Sequence, residues 1–250
     1  MLVFAQISDT HLDGGERRGS RAAAVMAYLG SLSAPLAAVL VTGDITDHGL
    51  PAEYEQARAI LSSPSHPVLH CPGNHDARNA YREVLLGEDN VEAGGGPVNR
   101  VHVTGGAAFV LCDSTLPGQD GGYLADETLT WLDQVLSEHA ELPAFVCFHH
   151  PPVLVHCPSV DGINQSGGHR LARIIGRHPH VAAILCGHAH LSAATTFAGR
   201  PLLVAPGVAS TLALPWERGD ALDEHAPAGV ALHVLDNQWR LTTHYRVVRT

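Results

Sequence analysis

An α/β fold with two stacked sheets flanked by helices is predicted by three features of this chain. Short apolar runs of strand length recur along it. The early runs alternate with helical patterns, which implies βαβ units and parallel pairing. The last third switches to closely spaced strands, which suggests an antiparallel or mixed second sheet. At 250 residues, 45% of them apolar and 16% charged, the chain is long enough to bury a sheet-based core.

The predicted strands are Leu2–Ile7, Ala37–Thr42, Val68–Cys71, Asn99–Val103, Ala107–Cys112, Ala144–Phe148, Val181–Cys186, Pro201–Ala205, Gly229–Leu235 and Arg240–Val248. Between them, Arg21–Leu32 is Ala-rich and helical in pattern. Ala52–Ser62 follows Pro51, placed as a first-turn proline. Glu127–His139 carries Leu129, Leu132, Val135 and Leu136 as one apolar stripe behind Asp126 as its cap. His169–Arg177 sets Leu171, Ile174 and Ile175 at helical spacing. The Gly94-Gly95-Gly96-Pro97 stretch reads as a loop within a single domain, 1–250, rather than as a linker.

Composition excludes several classes. A net charge of -10 disfavours a nucleic-acid polymer as partner, since such binders rely on a basic surface. No run of eighteen apolar residues suggests a membrane span, and Met1–Ile7 lacks the basic start and cleavage site of a signal peptide. Five cysteines are an odd number with no CxxC pair, so neither a disulfide framework nor a zinc ribbon is expected, and reducing cytoplasm is the expected compartment. Cys71, Cys112, Cys147 and Cys186 lie in or beside strands as small hydrophobes. Cys157, in a loop, is the one expected to be reactive.

Short clusters of Asp, His and Asn follow the strands: Asp9-Thr10-His11, Gly43-Asp44 with Asp47, Gly73-Asn74-His75-Asp76, His149-His150 and Gly187-His188-Ala189-His190. Tips of neighbouring parallel strands meet in one crevice, where open α/β sheets bind ligands. In an extended segment, residues two apart point the same way, so Asp9 with His11 and His188 with His190 can each grip one ion. Asp44 has two oxygens and can bridge two metals, while Asp47 reads as a cap or brace. Asn74 offers a neutral oxygen, and His75 beside it is free to act as an acid. This mixed oxygen and imidazole set suits iron, manganese, zinc or cobalt. Two divalent ions would outweigh the two carboxylates among the ligands and leave the site locally positive.

The order Asp-x-His, Gly-Asp-x-x-Asp, Gly-Asn-His-Asp, His-His-Pro-Pro, Gly-His-x-His resembles the calcineurin-like metallophosphoesterase superfamily. Within it, the chain is similar to the bacterial branch of class III cyclic nucleotide phosphodiesterases and glycerophosphodiesterases. Trp131-Leu132 and Gly168-His169-Arg170-Leu171 extend the likeness over nearly the whole chain. Protein Ser/Thr phosphatases usually read Gly-Asn-His-Glu, so Asp76 leans away from them. The resemblance implies a four-layer α/β/β/α sandwich and a binuclear centre. Asp9, His11, Asp44 and His190 would hold one metal, and Asp44, Asn74, His149 and His188 the other, with Asp44 bridging. Relatives form dimers or larger assemblies, which implies a homodimer or higher homo-oligomer.

The expected activity is phosphodiester hydrolysis on small substrates, 3′,5′-cyclic nucleotides such as cyclic AMP first and glycerophosphodiesters second. A hydroxide held by the metals would attack phosphorus in line while His75 protonates the leaving alkoxide or positions the phosphate. Asp76 and His150 are expected to brace the metal ligands. His169 and Arg170, at a helix start, are candidates for substrate contact, and the other histidines read as surface or core residues. Two alternatives stand beside this: a promiscuous phosphomonoesterase, and a metal-free binding scaffold. The loops Val153–Gly168 and Gly207–Ala228, expected to border the site, match no single substrate class.

Overall fold

The computed structural model describes residues 1–62, 66–89 and 95–249; Gly94 of the predicted loop lies outside them. The first half builds β1 (Leu2–Ile7), α1 (Glu16–Gly30), β2 (Val39–Thr42), α2 (Pro51–Leu61), β3 (Val68–Cys71) and the short α3 (Arg78–Ala80), which runs into a π-helical turn at Tyr81–Leu85. Next come β4 (Arg100–Thr104), β5 (Ala107–Leu111), β6 (Gly122–Tyr123), α4 (Asp126–Glu138), β7 (Ala144–Cys147), α5 (Pro158–Asp161) and β8 (Gln165–Ser166). The chain continues through α6 (Gly168–Ile175), β9 (Val181–Cys186), β10 (Ala193–Phe197), β11 (Arg200–Val204), β12 (Thr211–Leu212), β13 (Leu222–Asp223), β14 (Ala228–Leu235) and β15 (Leu241–Val248).

One sheet has the order β15-β14-β1-β2-β3 and the other β10-β11-β9-β7-β5-β4, with the pairs β12-β13 and β6-β8 apart. Strands β1, β2 and β3 are mutually parallel, as are β5, β7, β9 and β11. The last third therefore does not form the second sheet by itself. Its hairpin β14–β15 returns to pair antiparallel with β1 in the first.

Alternation along the strands produces three cores. Leu2, Phe4, Leu40, Phe109, Leu111, Phe145, Cys147 and Leu185 face one another between the sheets. Ile7, Val39 and Val41 turn the other way, against Val25 and Leu29 of α1 and Tyr54 and Ala57 of α2. Val110, Val146 and Ile184 likewise pack on Leu132 and Leu136 of α4 and on Leu171 and Ile175 of α6. Helices outside, sheets inside: the four-layer α/β/β/α sandwich is realised. Phe4 lies edge-on to Phe109 at 5.0 Å and to Phe145 at 4.7 Å between ring centres. Buried Gln6 ties the sheets together by donating to Thr42 Oγ1 and to the Cys186 carbonyl of the opposite sheet.

Three local expectations need correction. Helix α1 starts at Glu16, before Arg21, because Arg17 and Arg18 of its first turn are drawn into ion pairs with Glu224, Asp13 and Asp47. Asp126 is the first residue of α4 and makes no cap bond; it pairs with Arg170 instead. Cys157 is fully buried, with burial raising its thiol pKa, so it is not the reactive thiol its loop position suggested.

Candidate metal centre

The clusters leave the C-terminal ends of β1, β2, β3, β7 and β9, and close backbone approach lets their loops share one space. A Cβ on Gly73 would overlap the side chain and backbone nitrogen of Asp44. Gly43, at φ +87°, lies flat against the His149 ring with the same consequence. Five of the seven candidate metal-binding residues also have left-handed backbones: Asp9, His11, Asp44, His188 and His190, with φ from 43° to 71°. Such conformations are sparsely populated for residues with a Cβ and collect at functional sites. Backbone bonds hold them, including His11 N–H to the Asp44 carbonyl at 2.9 Å and His188 N–H to Asp9 Oδ2 at 3.1 Å.

Six of the seven side chains come together, and Asn74 follows Gly73, which is packed directly on Asp44. His11 Nε2 lies 3.2 Å from His190 Nε2 and 3.6 Å from Asp44 Oδ2, and His190 Nε2 lies 3.4 Å from Asp9 Oδ1. On the other flank of Asp44, His149 Nε2 is 3.2 Å from Oδ2 and 3.3 Å from His188 Nδ1. Four nitrogen or oxygen donors around an ion at zinc-like bond lengths sit about 3.3 Å from one another, so the spacing fits. Asp9 Oδ1, Asn74 Oδ1 and His188 Nε2 are buried with no hydrogen-bond partner. Orphaned buried polar atoms are rare and point to an ion or water.

Acceptor-only outer contacts fix the tautomers of His11 and His149, and a hydroxyl orients His190. Asp47 Oδ1 lies 2.9 Å from His11 Nδ1, the Thr42 carbonyl 2.7 Å from His149 Nδ1 and Ser210 Oγ 2.8 Å from His190 Nδ1. Each Nε2 is thereby left facing inward, the arrangement in which an outer partner orients a ligand imidazole. Burial opposes charge on both His149 and Asp44, yet each stabilises the other's charged form. The imidazole is pushed up to about 9 and the carboxyl well below its usual range. Burial, with His149 and His150 alongside, drives His188 down to about 2.

His150 keeps both nitrogens occupied, Nδ1 with Ser114 Oγ at 2.8 Å and Nε2 with the Asp120 carbonyl at 3.1 Å. Asp76 accepts from the backbones of Ile45, Thr46 and Gly73 and from Tyr54, tying the β2 and β3 loops together. His75 donates its backbone N–H to Asp44 Oδ1 at 2.9 Å and its Nδ1–H to the Asp47 carbonyl at 2.8 Å, leaving Nε2 toward solvent. His169 and Arg170 are not brought into this group. His169 is exposed, and Arg170 is spent on the Leu124 carbonyl, on Asp126 and on the Tyr123 ring face.

Sequence reading took Asp47 as a cap or brace and missed two further participants. Asp47 holds a histidine rather than only a loop; Ser210 reaches His190 from the Gly207–Ala228 segment; and Ser114 braces His150. Only Asp47 carried a signal, through its fixed distance from Asp44.

Among the described residues, no helix is long and apolar enough to cross a membrane. The chain is 34% identical over 204 residues to the glycerophosphodiester phosphodiesterase GpdQ of Enterobacter lignolyticus, covering 76% of this chain and 71% of that one. It is also 34% identical over 244 residues to a probable cyclic nucleotide phosphodiesterase of Rhodococcus erythropolis, covering 93% and 80%. In fold it is similar to a dimetal phosphatase from Danio rerio, with a TM-score of 0.66 at 16% identity over 100% of this chain and 99% of that one. The calcineurin-like phosphoesterase family model matches residues 2–192, a span that includes every cluster from Asp9 to His190. The chain therefore belongs to the calcineurin-like phosphoesterase family.

Proposed function

We propose that this chain is a metal-dependent phosphodiesterase of small substrates, hydrolysing 3′,5′-cyclic nucleotides first and glycerophosphodiesters second. One observation carries the reading: Asp9, His11, Asp44, His149, His188 and His190 converge, and Asp9 Oδ1, Asn74 Oδ1 and His188 Nε2 are buried without a partner. Asp9, His11, Asp44 and His190 would hold one metal; Asp44, Asn74, His149 and His188 would hold the other. When bound, such a pair of ions clamps a phosphate and acidifies a water molecule. Asp44 would serve both positions, and its Oδ1 accepts the His75 N–H.

His75 is the residue for the leaving group. Its Nδ1–H stays on the Asp47 carbonyl in either charge state, so the proton that comes and goes is the one on Nε2. Asp47, Asp76 and His150 orient ligands and loops. The donor chemistry accommodates iron, manganese, zinc or cobalt. A cytoplasmic setting agrees with the cysteine usage and small diesters with the acidic balance, while a homodimer or higher homo-oligomer rests on the resemblance alone.

The test compares cyclic AMP, glycerophosphoethanolamine and p-nitrophenyl phosphate side by side on protein supplied with manganese. The expected outcome is faster turnover of the diesters than of the monoester. Metal-loaded protein that cleaves neither diester overturns the reading, and protein that takes up no metal at all makes it a scaffold.

A further inference from the structure

Beside a cavity of about 270 Å³ that has His190 but not His75 in its wall, two larger ones lie near the cluster, and they differ in chemistry. The larger, about 840 Å³, is rimmed by Glu217, Asp220, Asp223 and Glu224 against a single arginine, Arg218, and includes none of the seven candidate ligands nor His75. Four carboxylates there disfavour an anionic diester. The smaller, about 400 Å³, has Asn74 and His75 in its own wall. Its size falls within the range of small-molecule sites.

The smaller cavity is preorganised. Arg78 spans its base with Nε on Asp113 Oδ2 at 2.7 Å and Nη2 on the Thr115 carbonyl at 2.9 Å. Asp113 also accepts from the Val98 and Thr115 backbones, so this guanidinium is neutralised and fixed rather than free to seize a phosphate. Opposite His75, the Gln119 N–H returns to the Leu116 carbonyl at 2.9 Å, closing a turn with Pro117 and Gly118 in the middle. Gly118 stands at φ +75°, the conformation a type II turn requires after proline. Leu116 and Pro117 thus give the cavity an apolar wall, and Asn79, whose amide can both donate and accept, lines it too.

We propose that this cavity receives the nucleoside portion of a cyclic nucleotide, making Leu116 and Asn79 specificity-determining residues; the inference rests on the phosphodiesterase reading above. The reason is positional. His75 protonates the leaving oxygen, so the group attached to that oxygen lies on His75's side of the phosphate. The new bond joins water oxygen to phosphorus, and the bond from phosphorus to the 3′ oxygen breaks. That oxygen takes the Nε2 proton of His75, the attacking water gives one proton to solvent, and His75 is reprotonated from solvent. A ribose and base fill a partly apolar space of this size, whose charged lining residues are engaged elsewhere, Arg78 with Asp113 and Asp76 with the Ile45, Thr46 and Gly73 backbones. A glycerol leaves most of it to water and gains little from the wall.

The experiment measures kcat/KM for cyclic AMP and for glycerophosphoethanolamine on manganese-loaded wild type, Leu116→Trp and Asn79→Trp. Both variants fill the cavity, from two separate segments of its lining, and Asn79 is exposed, so its replacement does not burden the core. The expected result is at least a tenfold fall in the cyclic AMP to glycerophosphoethanolamine ratio, carried by KM. An unchanged ratio in Asn79→Trp overturns the cavity assignment while leaving the phosphodiesterase intact. Wild type that cleaves only glycerophosphoethanolamine also overturns it. Wild type that cleaves neither diester overturns the phosphodiesterase reading itself.

Discussion

Asp47 holds His11 from behind: its Oδ1 lies 2.9 Å from His11 Nδ1, while Arg18 grips the second carboxylate oxygen at 2.7 Å. The His11 bond first, and Arg18 after it, keep this carboxyl well below the usual range. Asp47→Ala frees the ring to rotate and is expected to weaken metal binding about 10- to 100-fold. Asp47→Asn keeps one acceptor and should lose less. Manganese titrations followed by calorimetry read the difference directly, and an unchanged affinity would confine Asp47 to loop structure.

Metal should also stabilise the fold. A ligand present at 100 times its dissociation constant adds about 2.7 kcal/mol, worth roughly 5–10 °C in melting temperature for a chain of this size. Chelated protein is expected to melt lower by that order and to recover on adding manganese. Identical melting curves with and without metal would mean that Asp9 Oδ1, Asn74 Oδ1 and His188 Nε2 are satisfied in some other way.

His75→Ala separates chemistry from assembly. Loss of a general acid costs on the order of 10²–10⁴ in rate, so cyclic AMP turnover should fall by that factor. A p-nitrophenyl diester, whose leaving group needs no proton, should suffer much less, and metal content should not change. Metal loss in this variant would make His75 a structural residue instead.

Acid should weaken the fold through two histidines away from the metal centre. His233, stacked on Phe4 and bonded to Gln6 and Thr243, is pushed down to about 3 by burial; His70, beside the Tyr81 hydroxyl, is pushed down to about 4. The unfolded chain binds these protons below about pH 6.5 whereas the fold refuses them, so stability is lost as pH falls from 6.5 toward 4. Each histidine contributes a slope of about 1.4 kcal/mol per pH unit within that window. Urea unfolding from pH 4.5 to 7 should show His233→Gln losing one histidine's share of the slope. An identical slope in the variant would show that His233 is not the group responsible.

Most strands were legible because their apolar runs are short, continuous and bounded by turn residues. Val181–Cys186 and Val68–Cys71 have the predicted ends. Strand β10 was missed because Ala193–Phe197 is a largely exposed edge with no apolar run to mark it. The helical turn from Arg78 was hidden by the motif it follows, although Tyr81 and Val84 stand at helical spacing and are buried. That β14 and β15 belong to the first sheet could not be read, since it depends on pairing across more than 200 residues. The convergence of the clusters was foreseeable from strand-tip geometry. The outer partners Ser210 and Ser114 were not, because a serine in a loop looks the same whether or not a histidine waits beside it.

The left-handed backbones around the centre carry a cost that an evolving lineage would register. Each holds roughly 1–3 kcal/mol of unfavourable geometry, spread over five positions. Glycine or asparagine would relax that burden at any of them, and only the need to grip cations forbids the exchange. A duplicate released from catalysis should therefore drift toward those two residues here first, becoming sturdier as it falls silent.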